Sequence, residues 1–204
     1  MSLPTAPTGA TEPPSTPEAE PLPAAPARPP LRTWMREIVE TILLTVIIYA
    51  AVNFATGRFR VEGDSMQPSL HPEQFVLVDK ISYRLGKPQR GDVVVFQYPL
   101  ATERDFIKRV IGLPGETVSV AGGVVSVNGQ PLSEPYIAAP PAYANTWTLS
   151  PDQYFVLGDN RNNSSDSRSW GPLDRKYLIG KAVFVYWPPP VWGWVPHYTY
   201  ASSN

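Results

Sequence analysis

One run of the chain is apolar on every side, and it limits what the whole can fold into. Ile38 to Ala55 reads IVETILLTVIIYAAVNFA, with Glu40 and Asn53 close to its ends. A membrane-spanning helix needs ~17–25 mostly apolar residues, so the run is just long enough. Polar groups near the ends of such a helix reach the interface. A buried helix of a soluble domain is the weaker reading, because the run has no polar face. A cleaved leader is weaker too, because no small-x-small pair is well placed after the run, which also starts far from Met1. The expectation is an uncleaved signal anchor over 34–56. Arg28, Arg32 and Arg36 precede it and Arg58 and Arg60 follow it, a positive-inside bias too slight to fix the orientation by itself.

Ahead of the anchor, residues 1–33 are rich in Pro, Ala, Thr and Glu with few large apolar side chains. Such a segment cannot bury enough surface to offset its ordering entropy, so it is read as a disordered tail, in part polyproline II. A partner-docking tail is the alternative.

After the anchor the pattern changes. Phe75–Val78, Asp92–Phe96, Phe106–Ile111, Thr117–Val120, Val124–Val127, Tyr154–Leu157 and Lys181–Trp187 are short β-branched or aromatic runs, separated by turn residues. Ala121-Gly122-Gly123 and Asn128-Gly129 are hairpin signals. No long helical period follows residue 57. The fold class expected for 57–204 is all-β, with many short antiparallel strands. The segment 117–150, Pro/Ala-rich in its second half, is expected to be a small insertion or subdomain.

Composition narrows the chemistry by elimination. The chain has 204 residues and a net charge of −1, which gives no reason to expect a nucleic-acid partner. It has no cysteine, so thiol nucleophiles, cysteine metal sites and disulfides are excluded. Its two histidines are His71 and His197. Neither sits in a pattern that would orient it as the base of a serine triad, and without cysteine they make a zinc site improbable. There is no HExxH, GxSxG or glycine-rich phosphate loop, so no metal or cofactor is expected.

A serine in search of a base remains, and a lysine can serve if it is neutral. Desolvation disfavours the ammonium form and lowers a lysine's pKa. Lys108 lies in a strand-like run whose alternation puts Phe106, Lys108 and Val110 on one face. Two readings stand on the residues alone. Lys108 is an exposed strand lysine with its stem across the sheet, or it is a desolvated base.

Three blocks in order carry a resemblance: GDSMQPSL at 63–70, FIKRVIGLPGE at 106–116 and GDNRNNSSDSR at 158–168. Together they resemble the signature of bacterial type I signal peptidases, membrane-anchored serine proteases with a Ser/Lys dyad. The likeness runs over about 59–187. It implies Ser65 as nucleophile and Lys108 as general base, with Ser164 helping to orient the amine and the Asp166–Arg168 pair holding the third block in place. It implies the Ser65 N–H as oxyanion donor, each such donor being worth ~3–4 kcal/mol in other proteases. Some members carry a serine two residues before the nucleophile, and here that position is Gly63, with no side-chain donor. Arg90 to Phe96 matches a further block, read as a tight turn into a core strand. Asp64 is read as a turn-stabilising residue.

The resemblance also matches Phe59, Val61, Met66, Leu70, Phe106 and Ile107 to apolar positions of the substrate pockets. Shallow apolar pockets accept alanine and reject large or charged side chains, which implies cleavage after Ala-x-Ala in signal peptides of exported preproteins. Implied partners are those signal peptides, membrane lipid and a nearby secretion translocon. The implied location is the bacterial inner membrane, single-pass, with the catalytic domain on the outer face. A self-cleaving Ser/Lys repressor fits less well, because the only Ala-Gly beyond the anchor, Ala121-Gly122, lies downstream of both dyad residues. A membrane-tethered β-module used for binding, or an inactive homologue, is the non-enzymatic alternative. The aromatic stretch from Trp187 to Trp194, followed by Tyr198 and Tyr200, is read either as resting on the bilayer or as packing on the β-domain.

Overall fold

A computed structural model describes residues 31–200. The disordered tail expected over 1–33 therefore lies outside the described residues as far as residue 30. Leu31 to Thr33 instead open helix α1, Leu31–Ala55, which starts directly after Pro29-Pro30, residues that resist a helix interior. Within it Trp34–Ala55 is long and apolar enough to cross a membrane by length and composition. Its large apolar side chains, from Trp34 to Phe54, are exposed. That suits a helix solvated by lipid.

Beyond α1 the regular elements are nearly all antiparallel strands, joined by long turns and loops. The larger sheet comprises β1 (Thr56–Arg60), β2 (Phe75–Asp79), β3 (Val93–Tyr98), β4 (Ala101–Gly112), β9 (Gln153–Leu157), β10 (Leu173–Asp174), β11 (Leu178–Trp187) and β12 (Gly193–Trp194). Its order is β1-β2-β11-β3-β4-β9-β10, with β12 on β11. The late strand β11 is thus inserted between β2 and β3, so the sheet closes only when distant parts of the chain meet. Between β4 and β9 a second sheet forms from β5 (Thr117–Ala121), β6 (Val124–Val127), β7 (Gln130–Pro131) and β8 (Asn145–Thr148), in the order β7-β6-β5-β8. It spans Thr117 to Thr148. Its two tight turns fall at Gly122-Gly123 and Asn128-Gly129, all four residues at positive φ. The helices α2 (Ser82–Leu85) and α3 (Ser167–Trp170) are single turns.

Alternation along the strands explains the core. In β3, Val93 and Val95 join one apolar cluster with Val61, Met66, Leu70, Val76 and Val78, while Val94 and Phe96 join another with Val110, Tyr154, Val156 and Leu173. A strand buried on both faces needs a continuous apolar run, and VVVF supplies it. A third cluster, with Ile111, Val118, Val125 and Phe155, fills the space under the smaller sheet. In β4 the first residues are exposed and the last are buried. The inner half of that strand carries Lys108 into the interior.

Candidate active site

Ser65 sits in the turn that follows β1. Gln67 N donates to Asp64 O at 3.1 Å and Gln67 Nε2 to Asp64 Oδ1 at 2.8 Å, so Asp64 has the turn-stabilising part expected of it. Met66 and Leu70, on either side of that turn's continuation, are fully buried in the first cluster. Their burial fixes the turn to the core and holds Ser65 at its surface.

Two further segments meet this turn. From β4, Lys108 places Nζ 2.8 Å from Ser65 Oγ and donates to Ile107 O at 2.8 Å. Nζ also lies 5.2 Å from the centre of the Phe106 ring. Phe106 and Val110 pack on one cluster, as the alternation requires, and Ile107 packs on the opposite one. Lys108 is only 4% exposed. Burial lowers its pKa to about 8, and the carboxylates of Asp166 and Asp159 pull it part of the way back up. A buried lysine with no carboxylate in contact is costly while charged.

The third segment is the 158–168 loop. Asn160 N donates to Ser65 O at 3.0 Å, and Asn160 Nδ2 donates to Asp64 O at 3.2 Å. Gly158 lies so close that a Cβ there would overlap Ser65 O and Ser164 Oγ. Only glycine lets the two loops touch. Asp166 is fully buried and accepts from Gly158 N at 3.2 Å and from Arg168 N and Nε at 3.2 and 2.7 Å. Arg168 Nη2 donates to Ser164 O at 2.8 Å, and its guanidinium lies 4.3 Å from the centre of the Tyr143 ring. Ser164 Oγ is buried without a hydrogen-bond partner among the described residues.

Ser65, Lys108 and Ser164 line one open cleft of about 1230 Å³, with Phe59, Val61, Phe106 and Ile107 on its apolar wall. Met66 and Leu70, matched to the same pockets in the sequence, do not reach the wall; they lie in the core behind it. The rim is charged, with Arg58, Glu62 and Arg104 among its residues. Neither histidine hydrogen-bonds to Ser65. His71 is exposed, and His197, driven down to about 4 chiefly by burial, accepts from Val93 N at 3.2 Å. Among the described residues no group of three or more His, Cys, Asp or Glu is placed to hold a metal.

The sequence reading missed the pair that braces this site. Arg109, the neighbour of Lys108 on the opposite face of β4, is fully buried and makes a bidentate bond to Asp159 at 2.8 and 2.7 Å. It also donates to Gly91 O and Pro196 O and lies 4.2 Å from the centre of the Tyr136 ring. A second pair, Arg161 with Glu134, ties the loop's far side to the segment after β7, both bonds at 2.6 Å. The available signal was two adjacent cations in a strand, of which one had to be held by a carboxylate.

The family model described as "Signal peptidase, peptidase S26" matches residues 32–187. The chain belongs to this family. The signal peptidase I of Leptolyngbya laminosa is 43% identical over 187 residues, spanning 86% of this chain and 89% of that one. The probable signal peptidase I-2 of Synechocystis is 45% identical over 169 residues, covering 79% and 77% of the two chains. The signal peptidase I of Bacillus amyloliquefaciens is 35% identical over 167 residues, covering 76% and 87%. A Ser/Lys mechanism is general for S26 peptidases, and in this S26 chain Ser65 and Lys108 are a serine and a lysine in hydrogen-bond contact within the cleft.

Proposed function

We propose that this S26 peptidase removes signal peptides from exported preproteins, with Ser65 as nucleophile and Lys108 as general base. The observation that carries the assignment is the 2.8 Å contact between Ser65 Oγ and a buried Lys108 Nζ whose pKa lies near 8. Near that pH a large share of the amine is neutral, and the Ser65 hydroxyl then donates to it. Attack forms the bond from Oγ to the scissile carbonyl carbon as the proton passes to Nζ. The Ser65 N–H donates to no acceptor among the described residues, so it is free to stabilise the oxyanion. Collapse breaks the C–N bond, and the Lys108 ammonium gives its proton to the leaving amine. A water then attacks the ester, Lys108 takes the water's proton, and the proton returns to Ser65 as the new carboxyl end leaves.

Supporting parts follow from the contacts. Ser164 Oγ, unpartnered and buried beside the dyad, is assigned to orient the amine. Asp166 and Arg168 are assigned to keep the loop against Gly158 and Ser164. Phe59, Val61, Phe106 and Ile107 are assigned to the walls that admit alanine-sized residues, with Met66 and Leu70 backing them. An extended substrate adds as a strand at a sheet edge beside the cleft.

α1 is assigned as a single-pass anchor with its N-terminus cytoplasmic. Residues 57–204 then form the peptidase domain on the outer face of a bacterial inner membrane, within reach of lipid and the translocon.

The test is cleavage of a preprotein bearing an Ala-x-Ala site, in detergent, with sequencing of the new N-terminus. Wild type should cut after the second alanine. Ser65→Ala and Lys108→Ala should each lose at least about a thousandfold in kcat/KM. Below pH 8 the wild-type rate should fall about tenfold per pH as Lys108 takes up its proton. Cleavage surviving in Lys108→Ala would overturn the base assignment.

A further inference from the structure

A second pocket, of about 240 Å³, shares no lining residue with the cleft and is lined by Lys80, Tyr83, Arg84, Arg175, Leu178 and Ile179. Three of these six are cations. None has a carboxylate partner among the described residues. Asp79, next to Lys80 in the chain, is committed elsewhere: it accepts from Ile81 N, Ser82 N and the Ser82 hydroxyl. Arg175 is pinned by donation to Gly86 O at 3.0 Å and Tyr83 O at 3.4 Å. Asp92, which accepts from the Tyr83 hydroxyl at 2.9 Å, is paired with Lys181 at 2.6 Å. Both neighbouring carboxylates are thus engaged outside the three cations, which repel one another in a small pocket, and an anion in contact with them relieves that cost.

Its place in the chain says which anion. Lys80 N donates to Ala55 O at 2.9 Å, so the pocket lies where the chain leaves α1. Arg84 stands 4.3 Å over the ring of Phe54, in the last turn of α1, and its neighbour Leu85 is 86% exposed. Cations set between exposed apolar side chains match a molecule with a phosphate at one end and hydrocarbon at the other. A free phosphate would use only the cations. We infer that this pocket binds the headgroup phosphate of an anionic phospholipid. The inference rests on reading α1 as a membrane anchor.

The site is wired to the cleft through one residue. Gly57 in β1 has the Lys80 stem and the Phe59 ring both packed where its side chain would be. β1 therefore runs from Thr56, paired with Asp79 beside Lys80, to the cleft wall at Phe59. A bound headgroup would fix one end of a strand whose other end lines the substrate cleft.

The test uses the full chain in neutral detergent, titrated with dioleoyl-phosphatidylglycerol or dioleoyl-phosphatidylcholine and read by native mass spectrometry. Lys80→Gln/Arg84→Gln removes two charges and leaves Arg175, which braces backbone. One phosphatidylglycerol should be retained by wild type about tenfold more tightly than by the double variant, with phosphatidylcholine retained equally weakly by both. Equal phosphatidylglycerol affinity in the two proteins would overturn the proposal. So would displacement of the lipid by an equal concentration of inorganic phosphate, which would mark a free-phosphate site. Peptide cleavage in detergent should be the same in both proteins and reports that the variant is folded. Flotation with phosphatidylcholine vesicles reports the anchor separately, so a failed anchor and a failed pocket give different results.

Discussion

Lys108 and Arg109 are consecutive, both cationic by type, and both nearly or wholly inside the protein, at 4% and 0% exposure. The fold treats them in opposite ways. Arg109 faces a carboxylate in bidentate contact, two backbone carbonyls and an aromatic ring. Lys108 faces a hydroxyl, one carbonyl and a ring, with its nearest carboxylates acting only at a distance. The difference follows from the side chains. A guanidinium does not give up its proton in a protein, so burying it requires a counter-ion. An ammonium has the second option of becoming neutral, and a site that withholds the counter-ion selects that option. One face of β4 is therefore a brace and the other a base.

The comparison breaks most severely if Arg109 loses its partner. Asp159→Asn leaves a buried guanidinium without a counter-ion, and about 3–5 kcal/mol of stability should go, as read by urea denaturation. Asp159 also holds the Lys108 pKa up, so the surviving folded fraction should show the acid limb of its activity profile moved below pH 8.

A sharper probe is Lys108→Met. The lysine's pKa drops from 10.5 unfolded to about 8 folded. The unfolded chain therefore binds a proton that the folded one has lost between these values, and wild-type stability rises with pH across that window. Below pH 8 the charged lysine costs about 3 kcal/mol. Lys108→Met should be more stable than wild type by up to about that amount at pH 7, with the gap closing near pH 10.5. Equal stability at both pH values would mean that the amine is solvated.

The smallest effect belongs to a cation in neither situation. Lys176 pairs with Asp174 at 3.5 Å on the exposed surface. Lys176→Gln should change stability by no more than about 0.5 kcal/mol in the same denaturation experiment.

Local signals were legible in the sequence and meeting partners were not. The apolar runs at Phe75–Val78, Asp92–Phe96 and Val124–Val127 are strands because β-branched residues suit pleated, buried positions. The glycine pairs mark hairpins because their φ demands it. The alternation Phe106, Lys108, Val110 placed the lysine on an apolar face, though only the fold shows it desolvated. The polar half of β4, Ala101–Asp105, was missed because its residues are charged and its pairing with β3 supplies the strand. β1, β7, β8, β10 and β12 are likewise strands by pairing, not by composition. Nothing local announced that Asp159 would meet Arg109, fifty positions away, or that Gly158 would lie against Ser65 O. Met66 and Leu70 lie inside the core because the turn around Ser65 needs apolar anchors, a demand invisible until the turn is folded.

β4 is two materials along one length: Thr102–Asp105 stand in solvent, while Lys108–Gly112 are buried. Substitutions in the outer stretch alter the charge and shape met by an arriving chain and leave the reacting pair undisturbed. Natural variation is therefore free to explore new clients at the tip of the hairpin, while the same ribbon, a few residues further in, tolerates almost no drift.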